Sequence, residues 1–111
     1  MSGRSVKAIT MTNLNSNLLG AGYVSINPLG LTKHCFMIRI SNLSNVDITI
    51  SYDGAIANDF VLHGTTLEIG SAMSLQPNGT TGEFKKGLRV YASAAGAGVG
   101  LIYLSGYYLN D

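Results

Sequence analysis

The sequence predicts an all-β chain folded as an antiparallel β-sandwich, jelly-roll-like or immunoglobulin-like in topology, and three observations carry that prediction. Apolar and polar residues alternate with period two along several short runs. Turn signals recur roughly every ten residues. No segment shows the periodicity of an amphipathic helix. With 111 residues, 46% of them hydrophobic, the chain is long enough for one cored domain and too apolar to be disordered.

The N-terminal segment stands apart. Residues 1–7 read as a tail and residues 8–18 as an arm able to exchange with a neighbour, an ordinary frayed terminus being the alternative. Residues 19–111 then form the sandwich domain. Tyr23–Ile26 is the first strand expected within it, stopped by Asn27-Pro28-Leu29-Gly30. Phe36, Ile38 and Ile40 alternate with Met37, Arg39 and Ser41, and Val46, Ile48, Ile50 and Tyr52 alternate with Asp47, Thr49 and Ser51. The polar link Asn42-Leu43-Ser44-Asn45 between these runs predicts a hairpin over residues 34–52. Asp53-Gly54 closes that strand, because glycine tolerates the positive φ of a tight turn.

Asp59–Leu62 predicts a short strand, and His63-Gly64 turns the chain into Thr65–Ile69, with Leu67 and Ile69 toward the core. Residues 70–82 are rich in turn formers, with the sharpest bend at Pro77-Asn78-Gly79, and Glu83–Lys86 reads as a charged edge strand. Leu88–Ala94 and Gly100–Leu109 complete the set, joined by a predicted hairpin loop at Ala95–Val99. In the last strand Leu101, Tyr103, Ser105 and Tyr107 share one face, and Ile102, Leu104, Gly106 and Tyr108 the other. Apolar residues on both faces predict cover on both sides: the core on one, a neighbouring chain or the N-terminal segment on the other.

Charge is scarce. Asp, Glu, Lys and Arg make up 12% of the chain, against roughly 25% in an ordinary soluble domain. So few charges favour association, which points to a surface covered by neighbours. Net charge is +1 and no basic patch follows a phosphate backbone, so nucleic acid is not an expected partner. The start of the chain lacks the apolar core of a signal peptide, and no apolar run approaches the ~20 residues of a bilayer span. Synthesis in a cytoplasm and no membrane partner are therefore expected. Asn42-Leu43-Ser44 and Asn78-Gly79-Thr80 match the glycosylation pattern but read as turn chemistry.

No catalytic or metal-binding set emerges, and no cofactor is expected. His34 and Cys35 are adjacent on an extended run and point to opposite faces, so they cannot converge on one metal. Cys35 with His63 lacks a third, orienting group, and a buried cysteine with two surface histidines is the simpler reading. Asp53 and Asp59 flank one loop, where carboxylates usually cap turns, and with Asn58 they lack the ligand spacing of a calcium loop. Gly96-Ala97-Gly98-Val99-Gly100 resembles a phosphate loop only in composition, since a strand follows it and not a helix. The expectation is a chain that is not an enzyme.

Four of the six tyrosines, Tyr91, Tyr103, Tyr107 and Tyr108, fall in the last two strands. Tyrosines on a sheet anchor protein interfaces or stack sugars. The candidate subunit contacts are Tyr91, Leu101, Tyr103, Tyr107 and Tyr108, with Leu14 and Leu18 of the arm. A carbohydrate-binding β-sandwich module is the alternative reading of the same tyrosines.

From Arg39 to Tyr108 the chain resembles a recurring type of small bacteriophage virion protein. The resemblance lies in IRISNLSNVDITISYDG, NDFVLHGTTLEI and FKKGLRVYASAAGAGVGLIYLSGYY. It implies a structural virion protein of a tailed phage, made in the host bacterial cytoplasm. Such a protein would be a homo-oligomer on or in the capsid, as a decoration protein, a vertex or head-fibre anchor, or a connector-region component. Its implied partners are further copies of itself and other virion proteins such as the major capsid protein. The resemblance carries over no catalytic residues.

Overall fold

Strands form where the alternation places isoleucine on alternate positions, and the two best examples supply the middle of the core. Ile38 and Ile40 of one strand and Ile48 and Ile50 of the next are almost completely buried, as are Ile102 and Leu104 of the last. Each contributes about 1.5–3 kcal/mol by leaving water. The computed structural model describes residues 5–70 and 84–110. The strands are β1 (Ser5–Ala8), β2 (Thr12–Asn15), β3 (Val24–Ser25), β4 (Met37–Asn42), β5 (Ile48–Ser51), β6 (Asp59–Val61), β7 (Thr65–Gly70), β8 (Tyr91–Ser93) and β9 (Leu101–Asn110). One short 3-10 turn, Ser16–Leu18, follows β2.

Among the described residues all the strand pairings are antiparallel, in two sheets. The first has the order β1-β9-β4-β7, with β2 also paired to β9; the second has the order β3-β8-β5-β6. The pairs nest: β5 with β6 at the centre, then β4 with β7, β3 with β8, and β2 with β9. That nesting is a long antiparallel hairpin rolled up so that successive pairs fall in opposite sheets. It is the jelly roll, which decides between the two topologies the sequence left open.

Rolling up corrects two expectations. The segment 34–52 is not a hairpin: β4 pairs with β7 and β9, whereas β5 pairs with β6 and β8 in the facing sheet. Residues 95–99 do not close a hairpin either, since β8 and β9 also lie in different sheets. In both cases alternation correctly marks the buried face but carries no information about the partner strand. The corner between β4 and β5 is organised by Asn42, which is fully buried. Its Nδ2 donates to the carbonyls of Val46 (2.8 Å) and Val61 (3.0 Å), and its Oδ1 accepts from the Ser44 amide and hydroxyl. Gly100 fits the second corner because its φ is +113° and a Cβ there would lie 2.6 Å from the Leu43 carbonyl oxygen.

The N-terminal segment also departs from expectation. Ser5–Ala8, expected partly as tail, forms β1, and both β1 and β2 hydrogen-bond along one edge of β9. The arm therefore extends the first sheet sideways; it does not lie over the outer face of β9. Leu14, Ser16 and Leu19 are buried, so the arm also contributes to the core. Of the predicted edge strand, Phe84 forms a single bridge to Cys35. The expected bend at Pro77-Asn78-Gly79 lies outside the described residues.

The molecule measures 51 × 24 × 23 Å. A ten-residue strand is about 30 Å long, so β9 is longer than the two shorter dimensions. The β4 partner of β9 stops at Tyr107, and among the described residues Tyr108–Asn110 continue with β1 alone as a two-stranded ribbon at one pole.

Candidate functional site

The outer face of the β1-β9-β4-β7 sheet gathers the most varied chemistry. Register sets its rows: Tyr103, Ser41 and Thr66 lie across from one another, as do Ser105, Arg39 and Glu68, and then Tyr107, Met37 and Gly70. The Arg39 guanidinium meets the Glu68 carboxylate at 2.7 Å from Nη2 and 2.9 Å from Nε. The pair is about half exposed, at 41% and 50%, so its net stabilisation is small, about 0–1 kcal/mol. Thr66 donates to the Ser41 hydroxyl at 3.2 Å. The guanidinium carbon also lies 5.9 Å from the centre of the Tyr107 ring, within cation–π range. Arg39, Ser41, Thr66 and Glu68 line a shallow, open depression of about 600 Å³.

The predicted contact residues disperse. Tyr103, Tyr107 and Leu101 are half-buried on this outer face. Tyr108 faces the other way, paired across from Lys7, with the Lys33 ammonium 5.5 Å from its ring. Tyr91 belongs to the second sheet, where its ring lies over Gly54. Leu14 is buried in the chain's own core, whereas Leu18 is exposed. Arg39, Ser41, Thr66 and Glu68 were not singled out from the sequence. Arg39 and Glu68 are 29 positions apart and meet only through the β4–β7 register.

Asp53, Tyr52 and Asp47 serve local structure. Asp53 Oδ1 accepts from the amides of Ile56 (2.9 Å) and Ala55 (2.8 Å) and from the Ser51 hydroxyl (2.8 Å). These bonds favour the ionised form, the amides most, and hold its carboxyl below the usual range. Tyr52 donates to Asp59 at 2.8 Å; burial first and then this carboxylate raise its hydroxyl pKa. Asp47 accepts from the His63 amide and lies 2.8 Å from its ring, and the amide bond first, then the ring, lowers the Asp47 pKa. Cys35 is buried near Phe84 at one pole and His63 is exposed at the other, so the fold does not bring them together. Among the described residues no three His, Cys, Asp or Glu side chains converge as metal ligands. Among them, too, no helix is long and apolar enough to cross a membrane.

No protein-family model matches the chain, and no curated protein does. Among solved structures it is similar to a protein of the Bacillus endospore appendages, described as a family of disulfide-linked pili. That likeness has 10% identity and a TM-score of 0.48, covering 99% of this chain and 93% of the other. It is also similar to the SPP1 Dit protein, described as a paradigm of the hub adsorption apparatus in phages infecting Gram-positive bacteria. There the identity is 10% and the TM-score 0.41, over 93% of this chain and 49% of the other. The chain thus spans about half the length of the Dit protein.

Proposed function

We propose that this chain is a structural virion protein of a tailed bacteriophage, a homo-oligomer on or in the capsid. Decoration protein, vertex or head-fibre anchor, and connector-region component are the roles that fit. The observation that carries the reading is that, Met11 and Phe60 apart, the large apolar side chains exposed among the described residues lie at the two ends of the sandwich. One pole is built from the loops after β2, β4, β6 and β8, bound together by backbone hydrogen bonds such as Asn45 to Val99 and Gly98 to Ser16. These loops expose Leu18, Leu43, Leu62 and Val99. The opposite pole exposes Leu29 (94%), Ile56 and the ribbon residues Val6 and Leu109.

With 12% charged residues, little else on this surface opposes association. Apolar surface at both ends of one chain favours contacts between copies, which close into rings when the rotation permits. Two further features support the reading. One is the resemblance of residues 39–108 to small virion proteins. The other is the jelly roll, a fold frequent in viral capsid proteins, offered as fold-level analogy. In this role the chain is not an enzyme, needs no cofactor, and binds itself and neighbouring virion proteins, not nucleic acid or membrane.

Light scattering on the purified chain tests the association. The expected mass at micromolar concentration is a fixed multiple of 11.7 kDa. A strictly monomeric species that also fails to co-sediment with capsids would overturn the proposal.

A further inference from the structure

We propose that the depression on the outer face of the β1-β9-β4-β7 sheet binds a short, neutral oligosaccharide. The lining selects for hydroxyl-rich ligands. Ser41 and Thr66 supply hydroxyls able both to donate and to accept, Arg39 supplies donors only, and Glu68 acceptors only; Ser105 stands beside them as the register neighbour of Arg39. The one cation and the one anion there are already paired at 2.7 Å. Their fields largely cancel, so the site attracts neither a phosphate nor a carboxylate, and a polyanion finds no second cation to track.

The aromatic flanks supply the other half of sugar recognition. Tyr103 and Tyr107 stand on the same face of β9, four residues apart with Ser105 between them. That spacing is about 13 Å along the strand, and the row between the two tyrosines holds Ser105 with the paired Arg39 and Glu68 beside it. Tyrosine offers an apolar face for the C–H surface of a sugar ring and a hydroxyl for its edge. A neighbouring copy of the chain suits the depression less well, because interface cores are depleted of charged and small polar groups such as those that line it. The apolar poles remain the surface for that contact.

Nuclear magnetic resonance titration of the full chain decides the matter. The probes are maltotriose, cellotriose and chitotriose as neutral glycans, with 3′-sialyllactose and a heparin hexasaccharide as anionic ones, backed by a glycan array of neutral structures. The expected result is binding of at least one neutral glycan, with amide shifts centred on residues 39, 41, 66, 103, 105 and 107. Tyr103→Ala and Tyr107→Ala each weaken it about 5- to 10-fold, the worth of one aromatic contact. Should either tyrosine variant lose its fold, Thr66→Ala removes an exposed hydroxyl and is expected to weaken binding with the melting temperature unchanged. The proposal is overturned by no neutral binding up to about 10 mM, by shifts centred elsewhere, by preference for the anionic probes, or by variants that fold and bind as the parent does.

Discussion

Replacing Asn42 by alanine removes the group that turns the chain from one sheet into the other. The side chain is fully buried and makes four hydrogen bonds, two as donor to the Val46 and Val61 carbonyls and two as acceptor from Ser44. A buried polar group left without its partner costs about 1–3 kcal/mol. Without Asn42 the single proton of the Ser44 hydroxyl is free for the Val46 carbonyl 3.1 Å away, so the losses fall mainly on the Val61 carbonyl and the Ser44 amide. The sum is about 2–4 kcal/mol, a large part of the about 5–15 kcal/mol that holds a typical domain together. In a chain of this size it lowers the melting temperature by about 10–20 °C.

Urea unfolding followed by circular dichroism gives the measurement, with the denaturant slope expected to stay unchanged. Asn42→Asp supplies the control. It keeps the acceptor but turns a carboxylate oxygen toward the two carbonyls, so its loss should equal or exceed that of alanine. A loss below about 0.5 kcal/mol for Asn42→Ala would refute the corner's role.

Other consequences are equally direct. Gly100→Ala meets both a positive φ and a carbonyl 2.6 Å from the new Cβ; thermal melting should show a loss of about 2–4 kcal/mol. Asp53 has a lowered pKa in the fold, so its contribution is present above the ordinary carboxylate value and lost as pH falls through the folded one. The stability gap between the parent and Asp53→Asn should therefore narrow as pH drops from about 5 to about 2. Tyr52 has a raised pKa, so its contribution is complete below the ordinary tyrosine value and is lost only above it. In alkaline absorbance titration Tyr52→Phe should remove an ionisation that lies above the ordinary tyrosine range. Cys35 is buried; a thiol reagent should label it at the rate of unfolding, and rapid labelling of the native chain would contradict its placement.

Much of the fold is legible in the sequence, and what is missing has one cause. The runs at Ile38 and Ile40 and at Ile48 and Ile50 declare their buried faces, because period-two alternation is the pleat itself. Asn42–Asn45 reads like a hairpin link because a sheet-crossing corner uses the same polar residues; what separates the two is a buried Asn42, and burial is settled by strands far away in sequence. The Gly/Ala segment before β9 misleads for the same reason. In β9, apolar residues on two faces are visible in the sequence, whereas its position between β4 and the N-terminal arm is not. The outer-face depression was out of reach, since Arg39 and Glu68 become neighbours only once β4 and β7 are paired. The tyrosines beside it are legible as residues of interest, and so is the face that Tyr103 and Tyr107 share with Tyr108 opposite; what the sequence hides is that Tyr91 belongs to the other sheet.

The virion role proposed above would make this chain a built-in part of a phage particle. Quantitative mass spectrometry of gradient-purified particles from cells carrying the gene tests it most directly. In that role the chain is expected in the particle fraction at a fixed copy number relative to the major capsid protein. Its presence only in the soluble lysate, with none in the particles, would contradict the account.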